Sequence, residues 1–327
     1  MRFYDIKWLD RYIFIVLFLM AWCLYGGNQW NGDREAYELY YVRDSILPWG
    51  MEVLYGYMNI FSYKLGLSFQ TFQVIISFFT IALICIYFNK TYQYPGIAIL
   101  LYFLLMLPLD YVLMRTSLSY AIVLNAFVFL FRGKRGTYFS LVVIASLIHQ
   151  SAALFLIFLL VKKDGAINKT SIYIIATLFF SAFIQVIFYY GYIPPKIITH
   201  LSYYEITWKT IVSCIFFHVL SVFLIECDFK GRVGGRFDIF ILNINVVSLL
   251  IIVLYFQSDI FVRLFRLLVF INIIYLCQRI LVTKKITVFS LVYIVFYSFY
   301  LLIYYIYPVI DYTLAPLFQS FYLFRII

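Results

Sequence analysis

Long apolar runs recur along almost the whole chain, and each run is apolar on every face rather than on one stripe or in alternation. Runs of about 17–25 such residues have the length of a membrane-spanning helix. The chain is 65% hydrophobic and only 12% charged, which excludes a soluble globular domain. The alternating pattern of a β-barrel is lacking. The sequence therefore predicts an all-α polytopic membrane protein with a single integral membrane domain over residues 1–327.

The net charge of +10 does not require nucleic acid as a partner. The basic residues stand in short loops between the apolar runs, where they act as topology signals and favour anionic lipid or phosphate. We therefore expect membrane lipids as partners and no nucleic acid. The five cysteines lie inside apolar runs without Cys-x-x-Cys spacing, which predicts neither a disulfide nor a metal site. Because the first apolar run lacks a small-residue cleavage site, we expect no cleavable signal peptide.

Loop charges predict the path of the chain through the membrane. Arg2, Lys7 and Arg11 precede the first span and place the N-terminus in the cytoplasm. Residues 27–69 then form an external segment with short amphipathic helices, and residues 191–209 form a further external loop. The nine predicted spans are 12–26, 70–89, 95–110, 116–131, 170–190, 210–226, 237–257, 260–281 and 286–306.

The apolar run 137–161 decides this topology. As a single span, it would place the lysines at 162–163 and every later basic loop outside. As a re-entrant hairpin broken near His149, it returns the chain to the cytoplasm and puts most of the 25 lysines and arginines inside. Each arm would reach roughly the bilayer middle, against protein or a water-filled cavity. A second topology lets residues 51–66 span as well, but it moves the basic loop 132–135 outside.

Five arginines remain on the outer side in the hairpin topology: Arg34, Arg43, Arg115, Arg263 and Arg266. An arginine at the middle of a lipid-facing helix costs about 2.5–3.5 kcal/mol, so intramembrane cations usually face a cavity and indicate a site.

Arg263 and Arg266 lie three residues apart on one helix face and form a fork suited to phosphate or pyrophosphate. The alternative for this pair is an ion pair between Asp259 and Arg263. Arg115 begins a span, where it is a candidate for the same function; alternatively, it pairs with Asp110 or caps the preceding turn.

His149 is the titratable group in the apolar core of its run. A buried histidine with a pKa near neutral can serve as a general base. The alternative is a histidine that bonds backbone groups released where the hairpin breaks.

The external segment brings carboxylates and tyrosines together on a short helix. Acids bind hydroxyl groups and rings stack on the apolar faces of sugars, so a sugar site is one interpretation and a solvated, charge-balanced helix is the other. Glu52 starts the next amphipathic helix and faces the same compartment. The candidate residues of the short helix are Asp33, Arg34, Tyr37, Tyr40 and Tyr41, with Asn31 as a candidate N-cap.

The sequence has no Asp-x-Asp, no His-Glu-x-x-His and no Gly-rich phosphate loop. We therefore expect no metal and no cofactor, and an activated donor on the outer side would have to be lipid-linked.

Several short motifs occur in an order that resembles a known family. Asp-x-x-x-Tyr (Asp33, Tyr37) follows the first span, and Glu52 opens a later helix. Arg-x-Ser-Leu begins a span at Arg115, Ile-His-x-Ser contains His149, and arginines follow in a late span. This order resembles the EpsG-like and Wzy-type bacterial polysaccharide (O-antigen, exopolysaccharide) polymerases, and the resemblance covers most of the chain.

The resemblance implies a GT-C-like membrane glycosyltransferase of the bacterial inner membrane, inverting and metal-independent, whose active site faces the periplasm or cell exterior. It would polymerise oligosaccharide repeat units linked to undecaprenyl pyrophosphate, with a chain-length regulator protein as a further candidate partner. Arg115, Arg263 and Arg266 would hold the leaving pyrophosphate. His149 would be the base, with Asp33 or Glu52 orienting the acceptor hydroxyl or acting as the base instead.

Two other functions are compatible with the residues alone. A flippase or transporter of lipid-linked glycans would use the arginines as a phosphate path, but it should carry paired repeats and cations reachable from both faces. A membrane O-acyltransferase also uses a buried histidine, but it would take its donor from the cytoplasm.

Overall fold

A computed structural model describes residues 3–43, 45–161, 208–230, 235–256 and 262–319 of the chain. These residues are helical and contain no β-strand. Two compact units can be distinguished: unit 1 comprises Met1–Phe155, Ile273–Lys285 and Val295–Ile327, and unit 2 comprises Leu156–Asn272 and Ile286–Ile294.

The helices are numbered in chain order. In the first half they are α1 (Phe3–Gly27), α2 (Arg34–Tyr41), α3 (Val53–Lys64), α4 (Phe69–Thr91), α5 (Pro95–Leu105), α6 (Leu107–Asp110), α7 (Met114–Phe131) and α8 (Arg135–Ile148). In the second half they are α9 (Trp208–Phe229), α10 (Arg236–Ser248), α11 (Ile252–Tyr255), α12 (Val262–Thr283), α13 (Val288–Tyr300) and α14 (Leu314–Gln319). The 3₁₀-helices are Leu47–Trp49, Gln150–Leu160, Leu249–Ile251 and Tyr307–Val309, and Leu301–Ile306 is a π-helix.

Seven helices in the described residues are long and apolar enough to cross a membrane: Lys7–Gly27, Phe69–Thr91, Met114–Phe131, Trp208–Phe229, Arg236–Tyr255, Val262–Thr283 and Val288–Val309. They confirm the prediction of a polytopic helical membrane protein. The predicted span 95–110 is instead an 11-residue helix, α5, followed by the short α6. The predicted span 170–190 lies outside the described residues, as does the loop 191–209 except for its last two positions. The count of nine spans and the GT-C-like architecture stay predictions.

In unit 1, α1 packs against α4 and α5, while α7 packs against α4 and α8. The carboxylate of Asp10 in α1 is buried and accepts hydrogen bonds from the backbone N–H groups of Gly96 (3.0 Å) and Ile97 (3.1 Å) at the start of α5. A helix N-terminus carries partial positive charge and unpaired N–H groups, which stabilise a buried carboxylate. A Cβ at position 96 would collide with the Asp10 backbone, so glycine permits this close approach.

The chain reverses direction at His149. Helix α8 ends at Ile148, His149 is extended (φ −148°, ψ 118°), and a 3₁₀-helix follows. The hydroxyl of Tyr138 donates to the carbonyl of Phe155 at 2.6 Å, which joins the two arms. This contact brings Phe155 back beside Tyr138, 17 residues earlier in the chain. Whether this hairpin is re-entrant in the membrane, with the boundaries 137–161, stays a prediction, as do the external positions of 27–69 and 191–209.

A buried polar network ties the helices of unit 2 together. Asn245 in α10 and Asn272 in α12 exchange side-chain hydrogen bonds of 2.9 and 2.7 Å, and Asn272 also donates to the hydroxyl of Tyr293 at 2.8 Å. His218 lies between the hydroxyls of Tyr255 and Ser248, each 2.8 Å from a ring nitrogen. Buried amides and hydroxyls cost free energy unless they are bonded, so each bond favours this helix arrangement over others.

We expect Asn272→Leu to lower the free energy of unfolding by about 0.5–2 kcal/mol, because it leaves the Asn245 amide without its partner. Thermal unfolding of the purified protein in detergent measures this loss. The double variant Asn245→Leu/Asn272→Leu should lose less than the two single variants together. Additive losses would show that the amide pair contributes nothing.

Candidate active site

A tight turn places Glu52 inside unit 1. The 3₁₀-helix Leu47–Trp49 is followed by Gly50, whose φ of 59° lies in the left-handed region that glycine adopts readily. The backbone N–H of Glu52 donates to the carbonyl of Trp49 at 3.1 Å, and α3 starts at the next residue. Glu52 is only 2% exposed. A carboxylate at this depth needs hydrogen-bond donors around it.

Three chain segments supply those donors. Arg115, in the first turn of α7, donates through Nη1 to Glu52 Oε2 in an ion pair. His149, at the reversal after α8, lies with Nδ1 2.9 Å from Glu52 Oε1, and the backbone N–H of Gln150 is 3.4 Å from the same oxygen. The side chains of Arg115 and His149 are 27% and 21% exposed, so they form the accessible face of a cluster whose carboxylate is buried. Three residues that sequence reasoning identified separately thus share one contact network.

Aromatic rings enclose the Arg115 guanidinium. Its Cζ lies 4.8 Å from the ring centroid of Trp49 and 5.5 Å from that of Tyr37, within cation–π range. Arg115 Nε also donates to the Tyr37 hydroxyl at 3.4 Å. Trp49 in turn packs edge-on against Tyr55, with ring centroids 4.9 Å apart. Burial raises the pKa of Tyr37, and the positive charge of Arg115 opposes that rise. The rings and the carboxylate therefore hold the guanidinium in one orientation.

Arg115 has a different ion-pair partner from the one considered in the sequence. The alternatives were a functional cation, a pair with Asp110 or a cap on the preceding turn, whereas the structure pairs Arg115 with Glu52, 63 residues away. Asp110 is 5% exposed, and its backbone carbonyl accepts from the Ser117 hydroxyl at 2.5 Å.

The predicted sugar-binding residues divide between the surface and the interior. Tyr41 is 2% exposed, its hydroxyl donates to the carbonyl of Leu67 at 2.8 Å, and its ring packs against Phe69 and Phe72. Tyr40 is partly exposed and packs edge-on against Trp49. Tyr41 is therefore a packing residue in this conformation. Sugar binding by the tyrosines stays a prediction.

The start of α2 differs in detail from the prediction. Asp33, not Asn31, is the N-cap residue, and it makes no capping bond through its side chain. The Asn31 side chain instead accepts a hydrogen bond from the Asp33 backbone N–H at 3.1 Å. Arg34 forms an ion pair with Glu38 at 2.7 Å and donates to the Gln70 side chain at 2.9 Å, which ties α2 to α4.

Arg263 and Arg266 lie in the first turns of α12, within unit 2. Arg266 is 1% exposed, which makes it one of the largest fully buried side chains, whereas Arg263 is partly exposed. The alternative partner Asp259 lies outside the described residues. Pyrophosphate binding by these arginines stays a prediction. In the described part of the chain, no group of three or more His, Cys, Asp or Glu residues could hold a metal ion.

Sequence reasoning missed Trp49 and Tyr55, which enclose the cluster. Only the Pro48-Trp49-Gly50 turn, which ends two residues before Glu52, could have indicated Trp49. Its ring is 2% exposed, beneath the guanidinium.

The fold and the cluster define a multi-pass helical membrane protein with a buried carboxylate that links a histidine and an arginine. The chain belongs to the EpsG family, whose model matches residues 11–317 and so confirms the resemblance seen in the motifs. Membership of this family indicates a polysaccharide polymerase. No curated protein and no solved structure matches the chain.

We expect Arg115→Met to lower the free energy of unfolding by about 2–4 kcal/mol, because it leaves the buried Glu52 carboxylate without its cation. The double variant Arg115→Met/Glu52→Gln should recover most of the loss. Thermal unfolding in detergent measures both effects, with Arg132→Met, at an exposed position after the same helix, as the control. Equal losses in the single and the double variant would show that the charge pair is not what Arg115 contributes.

Proposed function

We propose that this protein is a glycosyltransferase that polymerises oligosaccharide repeat units linked to undecaprenyl pyrophosphate, at the outer face of the bacterial inner membrane, by an inverting and metal-independent reaction. Membership of the EpsG family supports the polymerase class. The single observation that carries the site is the Glu52 carboxylate, whose two oxygens contact Arg115 and His149.

The position of the carboxylate supports His149 as the base. Glu52 is paired with a guanidinium and is therefore ionised, and an ionised carboxylate only accepts hydrogen bonds. The proton of a neutral His149 then lies on Nδ1, so that the basic lone pair is on Nε2. This is the orienting function that a buried carboxylate performs for a catalytic histidine in hydrolases. Of the three candidates for the base, His149 is thus the best placed, with Glu52 as its positioning residue.

In the proposed step, the acceptor hydroxyl gives its proton to His149 Nε2 while its oxygen attacks the anomeric carbon of the donor sugar. The bond between that carbon and the pyrophosphate oxygen breaks, and the pyrophosphate leaves with the electron pair. One displacement inverts the anomeric centre. Asp33 is proposed to orient the acceptor through a hydrogen bond to a sugar hydroxyl.

The leaving pyrophosphate needs cations. A guanidinium has five N–H donors, and Arg115 uses Nη1 for Glu52 and Nε for Tyr37. Its Nη2 group is proposed to donate to a phosphate oxygen. Arg263 and Arg266, which belong to unit 2, are proposed independently as pyrophosphate-binding residues. Preorganised cations stabilise the charge that develops on a leaving group without reorganisation during the reaction.

We expect His149→Ala to reduce the polymerisation rate by about 10²–10⁴, the usual contribution of a positioned general base. Glu52→Gln should have a similar effect, because a glutamine N–H directed at Nδ1 favours the tautomer with its proton on Nε2. Chain length of glycan from a deletion strain complemented with each variant measures this, and Asp311→Asn, an exposed carboxyl change, is the control. Single repeat units at the cell surface are expected for both variants.

Two results would contradict the proposal. Normal chain length in His149→Ala would remove the histidine from the reaction. A deletion strain with no repeat units at the surface, instead of single ones, would indicate a flippase.

We expect Arg263→Lys and Arg266→Lys each to lower polymer yield at least tenfold, because an ammonium group replaces the bidentate guanidinium fork by a point charge. Arg279→Lys, near the other end of α12, is the control. Polymer yield at matched protein levels is the measurement. Wild-type yield from both variants would exclude these arginines from pyrophosphate binding.

A further inference from the structure

A cavity of about 510 Å³ lies beside α2, and none of its residues belongs to the Glu52 cluster. Its volume is within the roughly 300–1,000 Å³ of typical small-molecule sites. The residues that line it are Gln29, Trp30, Arg34, Glu35, Glu38 and Gln70.

One wall of the cavity is held in place by a set of short hydrogen bonds. Arg34 Nη1 donates to the carbonyl of Asn28 and to the side chain of Gln70, both at 2.9 Å, and Arg34 also pairs with Glu38. Gln70 donates to the carbonyl of Gly26 at 2.5 Å. These bonds connect α2, α4 and the end of α1, so the cavity lies between fixed elements.

Two polar side chains of the lining are available to a ligand. The side chains of Gln29 and Glu35 form no hydrogen bond or ion pair with another described residue. Gln29 thus offers both a donor and an acceptor, and Glu35 offers two acceptor oxygens. Trp30 is 50% exposed, so a large aromatic surface borders the cavity. An aromatic surface beside a few polar groups is typical of sites that bind small polar molecules.

The charge of the lining selects against phosphate. One arginine stands against two glutamates, and that arginine is already paired with Glu38. The remaining charge is the Glu35 carboxylate, which repels an anion and accepts hydrogen bonds from hydroxyl or ammonium groups.

We propose that this cavity binds a sugar segment of the glycan, uncharged or amino-substituted, by stacking on Trp30 and by hydrogen bonds to Gln29 and Glu35. The identity of the ligand as part of the polymerase substrate rests on the proposed function. Helix α2 also carries Tyr37, which accepts a hydrogen bond from Arg115. Tyr37 is three residues beyond Arg34, about 4.5 Å along the helix axis. A bound glycan would therefore lie beside the Glu52–His149–Arg115 cluster.

The test is a binding measurement that is separate from polymerisation. The probe is a set of short oligosaccharides made by partial hydrolysis of the strain's own polysaccharide, added to the purified protein in nanodiscs and followed by saturation-transfer NMR. We expect Trp30→Ala to raise the Kd about tenfold, as the loss of an aromatic stacking partner does. Gln29→Ala should also weaken binding, and it removes no bond of the folded protein. Trp208→Ala, a change of another exposed tryptophan outside the cavity, is the control.

Glu35→Gln distinguishes the two kinds of sugar. A loss of binding in this variant indicates an amino-substituted glycan, and retained binding indicates an uncharged one; either result agrees with the proposal. Wild-type affinity in both Trp30→Ala and Gln29→Ala would overturn it.

His149→Ala separates this proposal from the proposed function. If that variant does not polymerise but binds the probe normally, while the cavity variants bind weakly, both proposals stand. If it polymerises normally, the catalytic assignment fails and the cavity is still tested by the binding data alone.

Discussion

The ion pair between Glu52 and Arg115, with His149 on the second carboxylate oxygen, is the interaction on which the rest of the site depends. Burying one carboxylate is unfavourable, and a single cation compensates for it only with good geometry and further hydrogen bonds. Here the compensation comes from an arginine at the start of α7 and from a histidine at the end of α8. The carboxylate therefore positions the turn after α2, the head of α7 and the chain reversal at once.

Some aromatic residues of the segment between α1 and α4 help to accommodate the charge of Arg115. A partly buried guanidinium loses much of its water, and ring faces are the apolar surface that also attracts its charge. Trp49 and Tyr37 provide those faces, and Tyr55 packs behind Trp49. The rings of Trp49 and Tyr37 therefore contribute to the electrostatic stabilisation of the Arg115 side chain. The rings of Tyr41 and its neighbours only pack the segment together.

The sequence predicted the structure best where the stabilising interactions are between residues close together in the chain. Apolar runs predict spans because every backbone group in lipid must bond within its own helix, and seven described helices agree. Local reasoning also placed a break at His149, where α8 ends. It could not connect Glu52 with His149, because 97 residues separate them and no periodicity encodes such a contact. The span predicted at 95–110 was too long for a similar reason. The residues stay apolar past the end of the helix at Leu105, so hydropathy does not reveal that end. A second short helix starts at Leu107, with Pro108 in its first turn.

A lipid-linked glycan has two chemically different parts that a polymerase must bind. One is a pyrophosphate with several negative charges, and the other is a chain of sugars rich in hydroxyl groups. A single cationic pocket would bind the first and gain little from the second. In unit 1, α2 presents Glu35 and Glu38 to the cavity and Tyr37 to the Arg115 guanidinium, so the proposed contacts to sugar and to pyrophosphate involve different groups. Such a separation would let the sugars be held firmly while the cluster keeps its charge for the leaving group. Binding energy from the non-reacting sugars could then orient the acceptor hydroxyl toward His149, which is how remote binding energy contributes to catalysis.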